Sequence, residues 1–236
     1  MTPWNITYAF SVHPASWDFV QWLMINETER RHRGGGPMRV HFKAGAWDGF
    51  RSDLKGRIPR PLEAKQAIFH HVMKPALRLI GATEQIEPFD GPPRPPTAYL
   101  MRQLVKAHAM GIAIPKWIVP ADIAAEMDAF LNGRTPVVIT LREATYWPTR
   151  NSNLEAWVTF AKTCGEDVIF VRDTAKADVS IDGFETCPRA SKDLLWRAAL
   201  MEKAKANLMV ANGPIGLALY MDAPWLMFNP IRPDLN

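Results

Sequence analysis

From residue 136 to residue 229 short apolar runs alternate with segments of helical spacing, and no other feature limits the fold of this chain as strongly. The runs are PVVITL, DVIFVRD, ANLMVA and PWLMFN; between them stand NLEAWVTFAKTC, SKDLLWRAALMEKA and GPIGLALYMD. Runs that are apolar at nearly every position suit strands covered on both faces, and strands that alternate with helices build a parallel sheet. The expectation is a doubly wound α/β domain. The pattern of ADVSIDGF, residues 177–184, leaves its state open.

The first half repeats the logic less cleanly. An apolar run over 6–12 precedes Trp17, Val20, Trp22, Leu23 and Ile25 at helical spacing, and that segment closes on the basic residues RRHR, which suit the negative end of a helix dipole. Three glycines, Gly34, Gly35 and Gly36, and Pro37 lead to the strand-like MRVHFKA, giving strand, helix, strand. Residues 62–80 read as a helix that Pro75 kinks or splits and Gly81 stops. The stretch 91–96, GPPRPP, reads as a stiff linker. Helices are expected over 98–110 and from Pro120 to the stop at Gly133, with a strand-like IPKWIVP between them. Two similar α/β domains follow, drawn here at residues 1–115 and 116–236.

A chain of 236 residues buries such cores without disulfides or metals. Its two cysteines, Cys164 and Cys187, form no framework and suit a reducing compartment. The N-terminus lacks a basic segment followed by a long apolar one, and no run reaches the roughly 18 residues of a membrane span. The expected location is cytoplasmic. A net charge of +4 suggests an anionic partner, but it is too small and scattered for nucleic acid; phosphate on a small ligand fits.

In an open parallel sheet, ligands bind beyond the carboxyl ends of the strands. Arg142 follows the first strand of the second half, Arg172 and Asp173 follow the second, and Asn212, Gly213 and Pro214 follow ANLMV. Asn212 stands where an N-cap belongs, Gly213 allows close approach to the backbone, and Pro214 suits a first helical turn. Arg150 opens the next helix with Asn151, Ser152 and Asn153, the last two being N-cap candidates. Arginine grips phosphate oxygens in two places, and helix N-termini attract anions, so these residues favour an anion site. The alternative is a salt bridge from Arg142 to Glu143 or Glu155, with Arg150 in solvent. In the first half His13, and Asp48 in the loop AGAWDGFRSD, are weaker candidates for a general base.

Several signatures are missing. No GxGxxG follows a strand, and the glycine triplet lies between a helix and a strand, the wrong context for a dinucleotide fingerprint. No Walker loop, GxSxG elbow or HExxH motif is present, and His70 and His71 lack a carboxylate at ligand spacing. The expectation is a protein without metal or cofactor.

The arginine-ended strand, the polar helix start, the SKDLLWRAALMEKA helix and the final ANLMVANGP, GLALYMDAPWLMF stretch together resemble the C-terminal domain of GT-B-type glycosyltransferases, in the heptosyltransferase-like and fucosyltransferase-like branches. The resemblance covers roughly residues 136–229. It implies two Rossmann-like domains facing across a cleft, an acceptor-side N-terminal domain and a nucleotide-sugar donor held by the C-terminal domain. On that pattern Arg142 and Arg150 meet the donor diphosphate, Asn212 and Gly213 contact it, and no metal-binding DxD motif is required; none stands in the sequence. The implied activity is sugar transfer from the nucleotide-sugar, as substrate, to a carbohydrate or surface-glycan acceptor. A non-catalytic sugar- or nucleotide-binding module, and a sugar-nucleotide epimerase or hydrolase, are the alternatives.

Overall fold

The computed structural model describes residues 2–45, 47, 61–85, 101–145 and 148–229. Asp48 and the rest of its loop, and the proline-rich stretch 91–96, lie outside the described residues. The chain divides into two compact units, Met1–Ile118 and Val119–Asn236. Both contain an all-parallel sheet, as the alternation of strands and helices requires.

In the first unit β1 (Trp4–Ala9), α1 (Asp18–His32) and β2 (Met38–Lys43) form the expected strand, helix, strand, with Ile6 paired to Val40. Residues 62–80 form one helical run in three parts: α2 (Leu62–Ile68), a π-helical turn over Phe69–Met73, and α3 (Lys74–Arg78). The widened turn falls just before Pro75, whose ring crowds the carbonyl of the preceding turn and whose nitrogen has no hydrogen to donate. Gly81, at φ +65°, ends the run. Then β3 (Thr83–Glu84) adds a third parallel strand in the order β1-β2-β3, and α4 (Met101–Ala109) follows. The strand expected over 114–120 does not form. Prolines 115 and 120 remove two ladder donors, and the segment is tied to the unit instead by the Ile118 N–H, which donates to the Leu79 carbonyl at 2.9 Å.

Aromatic rings fill this unit. Tyr8 stacks on His13 at 4.5 Å and meets Phe19 and Trp22 edge-on at 5.0 and 4.9 Å, while its hydroxyl donates to the Pro14 carbonyl at 2.6 Å. At the far end of α1, fully buried Glu27 accepts from Arg30 and Arg31, and Arg30 reaches on to the Gly35 carbonyl at 2.9 Å. A β-carbon at position 35 would lie 2.6 Å from the Trp4 ring, so this turn demands glycine.

The second unit opens with α5 (Ala121–Leu131), which stops at Asn132 in the left-handed conformation, one residue before the glycine expected to end it. Next come β4 (Val137–Thr140), a 3-10 turn over Pro148–Arg150, α6 (Leu154–Thr163), β5 (Val168–Val171) and a second 3-10 turn at Thr174–Lys176. The open segment 177–184 makes an Ile181–Phe184 bridge and leads into β6 (Glu185–Thr186). The long helix expected over 191–204 is two: α7 (Pro188–Lys192) and α8 (Leu194–Lys203), divided at Asp193, whose carboxylate accepts from the Leu195 and Trp196 N–H groups. After β7 (Ala206–Val210), the helix expected over 213–222 shrinks to α9 (Ile215–Ala218) before β8 (Trp225–Phe228).

The sheet order is β6-β5-β4-β7-β8. The chain therefore moves from β4 to one side, then returns past β4 and continues on the other. Val137, Ile139, Leu141, Val168, Phe170 and Leu208 form one buried face beneath α6. Each such side chain is worth about 1.5–3 kcal/mol over exposure, which fixes the register of the central strands.

Candidate functional site

The direction of winding reverses between β4 and β7, and beyond the carboxyl ends of these two strands such a sheet leaves a crevice. The segments leaving them are residues 141–153 and 211–214, which carry most of the polar residues singled out in the sequence. The Arg150 side chain joins the two. Arg150 donates through Nη2 to the main-chain carbonyl of Ala211 at 2.9 Å, which places its guanidinium beside Asn212 and Gly213.

The other polar residues of the first segment hold its shape. Ser152 clamps Arg142 through the backbone: its Oγ accepts from the Arg142 N–H at 2.9 Å and its own N–H donates to the Arg142 carbonyl at 2.8 Å. Asn151 accepts from the Arg142 guanidinium through Oδ1 and donates to the Ala144 carbonyl at 2.9 Å. Asn153, not Ser152, caps α6, accepting from the Ala156 N–H at 3.1 Å. The N–H groups of Leu154 and Glu155 at that end have no partner within the helix. Asn151 and Ser152 thus hold Arg142, which is buried, and Asn153 caps the start of α6.

Arg172 serves differently from the expectation. Its Nε and Nη2 donate to Glu143 at 2.9 and 2.5 Å, and Nη1 donates to the Val179 carbonyl at 3.0 Å. Both side chains are about 95% buried, at 5% and 6% exposure. Burial acts to raise the Glu143 carboxyl, and the hydrogen bonds and charge of Arg172, with Lys176, outweigh it and hold it below the usual carboxylate range. The partner of Glu143 is therefore Arg172 and not Arg142. Asp173 adds a second tie, accepting from the Glu143 N–H at 2.9 Å. The donors of Arg172 are spent within the protein, tying the β4 end to the β5 end.

On the β7 side the structure corrects the helix start. The first-turn boundary is Pro214, and α9 has four residues, too few to act as an anion-binding terminus. Asn212 instead contributes its side chain: Oδ1 is buried and has no hydrogen-bond partner among the described residues. A buried acceptor left without a donor costs on the order of 1–3 kcal/mol.

His13 does not suit the role of a general base. Its ring is fully buried among Tyr8 and Trp22, where no substrate reaches it. Asp48 lies outside the described residues. Among the described residues no group of three metal-ligating side chains gathers, and no helix is long and apolar enough to cross a membrane. Two contributions had no sequence signal strong enough to find them: the Ala211 carbonyl, a main-chain group, and the Glu143–Arg172 pair, which becomes visible only once β4 and β5 are known to be neighbours.

No family model matches the sequence, and no curated protein matches it. Among solved structures, the chain is similar to the glycosyl transferase family 9 protein from Veillonella parvula DSM 2008, with a TM-score of 0.53 and 9% sequence identity. The match covers 95% of this chain and 79% of that one. At this identity the likeness is one of fold, and at that level it agrees with the GT-B-type, heptosyltransferase-like resemblance drawn from residues 136–229.

Proposed function

We propose that this protein is a glycosyltransferase that takes a sugar from a nucleotide-sugar donor and passes it to a carbohydrate or surface-glycan acceptor, without a metal. One observation carries the reading: Arg150 bridges to Ala211 across the β4–β7 reversal, beside the unpartnered Asn212 oxygen. The similarity in fold to the family 9 protein supports the same class. In the proposed reaction the bond from the sugar's anomeric carbon to the diphosphate oxygen breaks as the bond to the acceptor oxygen forms. The diphosphate leaves with the electron pair, and the proton of the acceptor hydroxyl passes to water. Arg142, Arg150 and the first N–H groups of α6 stabilise the charge gathering on the departing diphosphate, the part a metal plays elsewhere. Asn212 accepts from a donor hydroxyl or N–H, and Gly213 leaves room for it. Residues 116–236 hold the donor and residues 1–115 supply the acceptor side.

Burial of His13 favours a second reading, a binding module that holds the same ligand without turnover. Thermal shift against a panel of nucleotide sugars and nucleoside diphosphates tests both. A donor at a hundredfold excess over its Kd adds about 2.7 kcal/mol, a shift of several degrees. Arg142→Ala and Arg150→Ala are expected to lose most of it, and added chelator to leave it unchanged. The absence of a shift with every ligand sinks both readings; a shift without release of free nucleotide in the presence of acceptors selects the module.

A further inference from the structure

Among the described residues no strand pairs with the outer edge of β8 in the second sheet. All four side chains of β8 are exposed: Trp225 36%, Leu226 59%, Met227 40% and Phe228 46%. The strand contains no charge, proline or glycine, the devices by which edge strands avoid pairing. The Asn207 N–H donates to the Pro224 carbonyl. In the parallel ladder this turns the polar backbone groups of Leu226 and Phe228 toward β7 and those of Trp225 and Met227 toward the open edge.

Register also settles which side chains share a face. Ile139 pairs with Leu208 and Leu208 with Leu226, so Leu226 and Phe228 lie on the face that α6 covers over the central strands. That cover stops short of β8. Phe228 meets Trp157 of α6 edge-on at 5.1 Å, and Trp157 meets Phe160, itself 41% exposed, at 6.1 Å. The apolar surface is therefore continuous from the strand edge onto the helix.

We propose that β8 is a dimerisation edge: it pairs antiparallel with β8 of a second copy about a two-fold axis at Leu226, joining two five-stranded sheets into one. Identical uncharged strands related by a two-fold axis are complementary to each other without like-charge contact. A fully exposed large side chain carries about 150–250 Å². On that scale the exposed fractions of β8 and Phe160 leave on the order of 400 Å² of apolar surface per copy, a patch of the size that marks an interface. Edge pairing covers part of that surface together with the edge backbones, which corresponds to a weak, concentration-dependent dimer and not an obligate one.

Sedimentation equilibrium of the full chain from micromolar to submillimolar concentration tests this. The weight-average mass is expected to rise from 26.6 kDa toward twice that value. Leu226→Lys is expected to stay at the single-chain mass throughout and to melt like the wild type, because the replaced side chain is already exposed. Independently of that variant's folding, Leu226→Cys is expected to cross-link between copies on mild oxidation, since the two-fold places position 226 opposite itself at disulfide distance. A wild type that stays at the single-chain mass overturns the proposal, as does association that Leu226→Lys leaves intact or a Leu226→Cys chain that does not cross-link.

Discussion

Glu143 and Arg172 form a buried, bidentate pair, and breaking such a pair strands a charge away from water. Glu143→Gln is expected to destabilise the protein by on the order of 3 kcal/mol, read from denaturant midpoints. The pH dependence has a definite sign. The Glu143 carboxyl sits below its ordinary value in the folded chain, so its contribution is complete above the usual carboxylate range. It is lost as pH falls through the lowered value, and the acid limb of a stability profile should flatten in Glu143→Gln. The cysteines give a second test. Cys187 is 3% exposed and burial raises its thiol, whereas Cys164 is half-buried. At neutral pH an alkylating reagent is expected to label Cys164 alone, with Cys187 following only in denaturant, as mass spectrometry would show. Residue identity singled out Arg142 and Arg150 in the sequence, because an arginine after a strand and another before a helix start are conspicuous. It did not make Arg172's partner visible, because adjacent arginines and glutamates offer many pairings until strand order selects one.

Two helix starts, α6 and α8, are capped in the same way, by Asn153 and by Asp193, and each cap is worth about 1 kcal/mol. They part company in function. Asn153→Ala and Asp193→Ala are expected to lower stability by similar amounts, but only Asn153→Ala should also weaken nucleotide binding, because the α6 terminus faces the proposed diphosphate. A titration of both variants with one donor checks this; equal affinities would separate that terminus from the site. Most elements were legible because each apolar run is bounded by a turn residue. The break between α7 and α8 was not read, because the helical spacing runs on through Asp193, although an aspartate directly before Leu194, Leu195 and Trp196 is an N-cap signal. The short α9 was not read either. Its apolar spacing suits a longer helix, yet the chain has only the stretch between Val210 and Trp225 in which to leave one strand and enter its neighbour. The strand expected over 114–120 failed for a local reason, its two prolines.

Each unit has its own parallel sheet and its own buried core. A fragment spanning residues 119–236 is accordingly expected to unfold cooperatively by circular dichroism and to keep most of the donor-induced shift of the whole chain. A fragment that folds but does not respond to donor would show that the first unit contributes to binding. Alternation of strands and helices announced the parallel sheets, but not the order β6-β5-β4-β7-β8, which depends on long-range pairing, and only that order puts residues 141–153 beside residues 211–214. The bond between them ends on a main-chain oxygen, and every amino acid supplies one. Position 211 is thus free to drift without its partner drifting in step, so the contact leaves no covariation for sequence statistics to detect.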